Sequence, residues 1–205
     1  DPVRDRMIVF GGIDGSGSYT SGVWALSFSG VPAWSQLSPT GVPPSQRIYH
    51  TACYDPVRDR MLVFGGYSGS ALDDVWSLSL GGSPAWTQLT PTGTPGRRFG
   101  HSAIYDPIRD QMVVFGGYSE SSNAYLTDVW ALPLGSLTWT PVAPSGSPPG
   151  QGFGASAVYD PAGDQVLVFG GYDGLSNTVS GDVYALALAS PGWTPVTPSG
   201  TPPPN

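Results

Sequence analysis

DPVRDRMLVFGG, from Asp55 to Gly66, decides how this chain is read. Its first five residues are a turn signal: Asp caps the turn through its side chain, and Pro presets φ at the next position. The turn runs straight into Met61-Leu62-Val63-Phe64, a short apolar run closed by two glycines. A continuous apolar run of this length, bounded by turn residues, is expected to be a strand covered on both faces. The stretch is also repeated. It occurs as DPVRDRMIVFGG from Asp1, DPIRDQMVVFGG from Asp106 and DPAGDQVLVFGG from Asp160, so the chain is built from copies of a unit of about fifty residues.

Working outward, each copy is followed by a second block: GVWALSF from Gly22, DVWSLSL from Asp74, DVWALPL from Asp128 and DVYALAL from Asp182. Nine or ten residues beyond the aromatic of that block stands another Trp, at positions Trp34, Trp86, Trp139 and Trp193. A Pro/Gly/Thr stretch then leads to RIYHTACYD from Arg47, RFGHSAIYD from Arg98 or GFGASAVYD from Gly152. In the second unit this predicts strand a over His50 to Tyr54, b over Arg60 to Phe64, c over Val75 to Leu80 and d over Ala85 to Leu89. Strand a folds back antiparallel on b. Strand c alternates, with Trp76, Leu78 and Leu80 on an apolar face and Val75, Ser77 and Ser79 on a smaller one. The strand-d Trp is a wedge between neighbouring sheets. The paired glycines are expected to end strand b where the backbone takes positive φ or passes close to another segment. Units fall at about 1–45, lacking a first strand, then 46–96, 97–150 and 151–205.

This pattern resembles the Kelch repeat family. The likeness rests on the double glycine after an apolar strand, the aromatic of D-V-[WY]-x-L and the Trp beyond it, all present in four units. Arg-x-x-His opening strand a is found as Arg47/His50 and Arg98/His101, whereas the fourth unit has Gly152 and Ala155. The resemblance implies an all-β propeller or partial propeller, each unit one blade with strand a innermost, packed face to face around an axis. Kelch propellers commonly close with about six or seven blades. Here the chain opens at strand b and ends in Pro202-Pro203-Pro204-Asn205, giving three strands in the first unit and four in each of the others. It is therefore expected to be part of a longer propeller or a unit that associates with copies of itself through open strand edges.

Composition narrows the function classes. The 7 Trp, 10 Tyr and 7 Phe supply apolar area for a core, so the 29 Gly and 22 Pro punctuate strands and do not signal disorder. The 8 basic residues are all Arg, against 15 acidic ones, for a formal net charge of −7. With no basic patch, nucleic acid and anionic membrane surfaces are disfavoured, and no apolar run is long enough to span a bilayer. The lysine-free, Ser/Thr/Gly/Pro-rich surface points to an extracellular or periplasmic protein. A single cysteine, Cys53, excludes an internal disulfide; its equivalents Ile104 and Val158 make it a small core residue.

No enzyme chemistry is called for, and no cofactor or metal is expected. His50 and His101 are repeat equivalents and read as histidines satisfied by hydrogen bonds. Galactose-oxidase-like enzymes share the propeller and hold copper with His and Tyr beside a Cys–Tyr cross-link, but this sequence has no His outside the repeat. The pairs Arg4/Asp5, Arg58/Asp59 and Arg109/Asp110 are expected to be exposed turn residues of little energetic weight. Asp14, Asp73 and Asp173 lie in loops, where IDGSGS and YDGLSN lack the spacing of a calcium loop and read as turns.

What varies between units is the b–c loop: IDGSGSYTSG from Ile13, YSGSALD from Tyr67, YSESSNAYLTD from Tyr118 and YDGLSNTVSGD from Tyr172. Variable loops on a repeated scaffold are how a rigid fold presents a binding surface. In a propeller the b–c and d–a loops share one face. That face is expected to gather Tyr19, Tyr67, Tyr118, Tyr125, Tyr172, Asn123 and Asn177 near Arg47, Arg97 and Arg98. Tyr and Asn with a few Arg suit recognition of a polypeptide or a sugar, so the partners expected are a protein or glycan ligand, with self-association through the open ends as a further possibility.

Overall fold

The computed structural model describes residues 1–150, 152–173 and 177–200. Part of the fourth b–c loop and the terminal proline run lie outside these residues. Among the described residues there is no helix, and the strands form four antiparallel sheets and one short ribbon. The first sheet is β1 (Arg6–Phe10), β2 (Val23–Ser27) and β3 (Ala33–Leu37). The second is β4 (Thr51–Asp55), β5 (Arg60–Tyr67), β6 (Ala71–Ser79) and β7 (Ala85–Leu89). The third is β8 (Ser102–Asp106), β9 (Gln111–Ser119), β10 (Ala124–Pro133) and β11 (Thr140–Val142). The fourth is β12 (Ser156–Asp160), β13 (Gln165–Phe169), β16 (Val183–Ala187) and β17 (Gly192–Val196), with β14 (Tyr172–Asp173) and β15 (Thr178–Val179) as the ribbon between β13 and β16. The strands keep chain order with every neighbour antiparallel, b-c-d in the first sheet and a-b-c-d in the other three, as in blades of a propeller.

Strand b is buried on both sides because successive side chains point opposite ways. Met61 and Val63 join Phe10, Val23, Trp76, Leu78 and Trp86 in a cluster between the first and second sheets. Leu62 and Phe64 turn the other way, to Met112, Val114, Leu132 and Trp139 of the third sheet. Val113 and Phe115 then pack with Val166, Val168, Leu186 and Trp193 of the fourth. At each of these interfaces the strand-b Phe meets the strand-d Trp of the next blade. Ring centroids are 4.9 Å apart for Phe10–Trp86 and 5.0 Å for both Phe64–Trp139 and Phe115–Trp193.

Backbone contacts hold each Trp in that position. Thr40, Thr92 and Ser145, from the Pro-Thr/Ser-Gly linkers, pair in parallel fashion with the next blade's outer strand. The amides of Trp86, Trp139 and Trp193 donate to their carbonyls at 2.9, 2.9 and 2.8 Å.

Two expectations need correction. The double glycine does not end strand b in the middle blades; β5 and β9 run on through it, with a register shift in the pairing of β5 to β6 between Phe64 and Gly66. Gly65 and Gly66 have φ of 60° and 99°, and a Cβ on Gly65 would stand 2.8 Å from the Arg98 carbonyl oxygen of the next blade. The Gly66 amide donates to that same carbonyl at 3.0 Å, so the glycines are where one blade docks on the next.

The second correction concerns the turn Arg–Asp pairs, which are not isolated surface dyads. Asp55 and Asp106 are fully buried and cap their own turns, Asp55 accepting from the amides of Val57 and Arg58. The turn Arg then reaches the turn Asp of the following blade. Arg58 donates to both carboxylate oxygens of Asp110 at 2.9 and 2.6 Å, and Arg109 to both of Asp164 at 3.0 and 2.7 Å. Arg4 reaches Asp59 in the same way. Hydrogen bonds from these Arg residues are the main reason that Asp59, Asp110 and Asp164 sit below the ordinary carboxylate pKa. Gly163 replaces the Arg in the fourth turn, and the relay ends there.

The Trp series generates a direct comparison. Trp139 is 4% exposed, whereas Trp34, its first-blade equivalent, is 56% exposed. Trp139→Ala is expected to cost about 3–5 kcal/mol, as for other buried Trp truncations, and Trp34→Ala less than about 1 kcal/mol. Urea unfolding of the two variants checks this.

Candidate functional site

The b–c hairpins and the d–a connections meet on one face. The residue before strand a forms a one-residue antiparallel bridge with the tyrosine after the double glycine: Ile48 with Tyr67, Phe99 with Tyr118, and Phe153 with Tyr172. Ile48 and Tyr67 exchange two backbone hydrogen bonds of 3.0 and 2.8 Å, and Phe99 and Tyr118 two of 3.2 and 2.9 Å. In the first blade Ile13 bridges Tyr19. The repeat thus places aromatic rings at the same height in successive blades.

The rings make one connected surface. Tyr19 lies 6.3 Å from Tyr67, Tyr67 5.2 Å from Phe99, and Phe99 5.5 Å from Tyr118. Tyr118 contacts Tyr125 at 5.1 Å, which contacts Tyr172 at 5.3 Å and Phe153 at 6.0 Å. Tyr49 leans over this row, 6.1 Å from Phe99 and 5.9 Å from Phe153, and Phe99 and Phe153 are 5.8 Å apart. Most of these contacts are edge-to-face, which fixes ring directions, while Tyr49 packs tilted on Phe99 and Phe153. Tyr49 is 55% and Tyr125 38% exposed, and the rest of the row is half-buried beneath them.

Five tyrosines named from the sequence are therefore brought together, and Tyr49, Phe99 and Phe153 join them. These three are not among the sequence candidates: Tyr49 and Phe99 lie between the charged ends of Arg-x-x-His, and Phe153 lies in the fourth unit's counterpart, Gly152 to Ala155. Aligned copies do carry the signal, since Ile48, Phe99 and Phe153 are all large and apolar within otherwise polar linkers. Asn123 and Asn177 sit in left-handed turns, φ 49° and 57°, where they accept hydrogen bonds from the Tyr118 and Tyr172 hydroxyls. Asp14 likewise shapes its own loop, accepting from the amides of Ser16 and Ser18 at 2.8 and 3.0 Å.

Arg47 and Arg98 do not stand on this face as ligand-facing groups, which corrects the sequence expectation. They are 0% and 1% exposed and act as clamps within their own blades. Arg47 donates to both oxygens of Asp74 at 2.7 and 2.8 Å and to the Gly65 carbonyl at 3.0 Å. Arg98 repeats this with Asp128 at 2.7 and 2.9 Å and Gly116 at 3.0 Å. The carboxylates are shared with the indoles of Trp76 and Trp130, which donate at 2.6 and 2.7 Å. In the fourth blade Gly152 replaces the Arg and Tyr184 the Trp, while the exposed Asp182 accepts from Ser180. Arg97 alone of the three points outward, 62% exposed and 3.8 Å from Asp73.

Beneath the rings lie His50 and His101, each edge-on to the preceding blade's Phe, at 5.3 Å from Phe10 and 5.0 Å from Phe64. His101 Nε2 is 2.8 Å from the Thr51 hydroxyl, and both Nδ1 atoms are buried without a hydrogen-bond partner in the described residues. Burial, then the positive charges of the neighbouring clamps, pulls His50 down to about 4 and His101 to about 3. Cys53 packs against the cluster around Leu62 and Phe64, and burial pushes its thiol up to about 12, which suits a core residue and not a nucleophile.

The family described as the Attractin/LZTR1 beta-propeller matches residues 34–203. The chain is 28% identical over 202 residues to the leucine-zipper-like transcriptional regulator 1 homolog of Drosophila melanogaster, covering 91% of this chain and 19% of that protein. It is 32% identical over 192 residues to the host cell factor homolog hcf-1 of Caenorhabditis elegans, covering 82% of this chain and 24% of that protein. Against adagio-like protein 1 of Oryza sativa subsp. japonica identity is 28% over 212 residues, with 98% and 32% covered. The chain spans a third or less of the length of these relatives.

The neutral, buried His101 has a measurable consequence. Its unfolded-state pKa is about 6.5, above the folded value, so the unfolded chain takes up the proton first as pH falls. Stability from this residue is complete above about pH 6.5 and declines below it by about 1.4 kcal/mol per pH unit. Unfolding free energies from urea titrations between pH 7.5 and pH 5 are expected to show the combined slope of His50 and His101, about twice this value, and His101→Gln to remove about half of it while lowering stability at pH 7.5.

Proposed function

The chain belongs to the Attractin/LZTR1 β-propeller family, and from that premise we propose that it is a non-enzymatic binding module that holds a protein partner on its aromatic loop face. The observation that carries this reading is the unbroken row of rings from Tyr19 to Tyr172, set by hairpins that differ in content while the strands beneath them repeat. Tyrosines supply large contact area at little conformational cost, and clusters of them near the centre of a surface are the usual anchors of protein recognition. The relatives' names, a regulator homologue and a host cell factor homologue among them, support a binding role over a catalytic one.

A second reading, association of blades end to end, rests on a separate observation. Phe169 is 41% exposed on the fourth blade and Trp34 56% on the first, so each offers a ring that a blade of another copy would cover in the same Phe–Trp geometry. A concentration-dependent mass abolished by Trp34→Ser supports that association; a constant monomer mass removes it.

For the loop face, the test is selection of short displayed peptides on the immobilised chain, with a glycan array in parallel. Peptide binding weakened about tenfold or more by Tyr125→Ala is expected. Glycan binding lost in the same variant, without any peptide binding, replaces the protein partner with a carbohydrate.

A further inference from the structure

We propose that the aromatic face takes a basic peptide segment, with Tyr49 as the ring set against its cationic side chains; this rests on the reading of that face as a protein-binding surface. Tyr49 is the first ground. It holds φ of 54°, a left-handed conformation that costs free energy for any residue with a Cβ. Its equivalents in the next two blades are glycines, Gly100 and Gly154, at φ of 65° and 69°. The three are linked by main-chain hydrogen bonds, Gly100 to Tyr49 at 2.8 Å and Gly154 to Gly100 at 2.7 Å. Glycine therefore serves the backbone at this place twice, while the second blade keeps a strained and more than half exposed tyrosine. The local fold does not require that ring. A role outside the fold accounts for it.

Charge is the second ground, and it selects the partner. Of the three Arg on this side of the molecule, Arg47 and Arg98 are buried and saturated by their clamps, and Arg97 stands beside Asp73. An anionic peptide would meet no open guanidinium cluster. Carboxylates instead punctuate the hairpins that carry the rings: Asp14 before Tyr19, Glu120 after Tyr118, Asp173 after Tyr172. Glu120 also spans to the neighbouring hairpin, accepting from the Ala71 amide. Aromatic faces carry negative quadrupole potential and attract Arg and Lys side chains, and surrounding carboxylates reinforce that attraction and steer the approach.

The test uses the whole chain and a display library of short random peptides, followed by synthetic copies of the selected sequences. Enrichment of Arg and Lys is expected. Affinity should fall about fivefold or more between about 50 and about 300 mM salt, and Tyr49→Gly should weaken it by about the same factor. Because Tyr49→Gly relieves backbone strain, its thermal midpoint is expected within about 4 °C of the parent, so lost binding cannot be blamed on unfolding. Glu120→Gln, which keeps an acceptor for Ala71, should weaken basic peptides by about two- to threefold. Selected peptides that are acidic or uncharged, yet still depend on Tyr125, overturn the basic partner and leave the protein-binding reading standing. Peptides indifferent to Tyr49, Tyr125 and Glu120 overturn both.

Discussion

Everything in this structure depends on one contact made three times: the strand-b phenylalanine of a blade against the strand-d tryptophan of the next. A four-stranded sheet with an apolar strand in its middle cannot bury both faces alone. Stacking solves this, because each sheet supplies one face of its neighbour's core, and stability becomes a sum of near-identical interfaces. The other inter-blade links fit around that contact. Linker carbonyls at Thr40, Thr92 and Ser145 hold the tryptophan backbone, the glycine pair lets strand b pass under the following blade, and the turn arginines join blade to blade at the opposite rim.

The two rims divide the work. On the a–b turn rim, charge is used up in the structure: buried aspartates cap the turns and arginines bridge them. On the b–c rim Arg47 and Arg98 are drawn inward as clamps, which rigidifies the hairpin bases, while aromatic rings, carboxylates and Arg97 stay outside. The clamp joins the glycine bulge, the start of strand c and an indole into one unit, so the rings above it sit on a stiff base. The guanidinium groups of the clamps are buried while the partner carboxylates stay partly exposed, and such pairs are strict about geometry, as an unpaired guanidinium in the core would be very costly. Where Gly152 removes the clamp, Tyr184 has also replaced the indole that shared its carboxylate.

The strands and their order were legible because the repeat shows strands b, c and d four times and strand a three times, and the apolar run from Met61 to Phe64 is enough to require cover on both sides. The tyrosines at the hairpin bases were legible for the same reason. What was not legible involves pairing across blades. Arg58 stands next to Asp59 in sequence but bonds Asp110, because the relay runs between equivalent turns and sequence adjacency says nothing of it. Arg47 and Arg98 read as part of the loop face because they open strand a beside the b–c hairpins, as the ligand-facing arginine of the resembling family does; only the backbone path shows Asp74 and Asp128 facing them from strand c. Tyr49 was hidden inside a motif whose charged ends drew the reading, although the glycine at both equivalent positions was visible in the aligned copies.

The central claim, that each blade is held by its neighbour through the phenylalanine–tryptophan contact, is tested most directly by double-mutant cycles read from urea unfolding. Phe64 and Trp139, in adjacent blades and 5.0 Å apart, are each changed to Leu, singly and together. Phe64 and Trp86, which share a blade, serve as the control pair. The account predicts a coupling of about 1 kcal/mol for the first pair and about 0.3 kcal/mol or less for the second. Additive effects for Phe64 and Trp139 would contradict it.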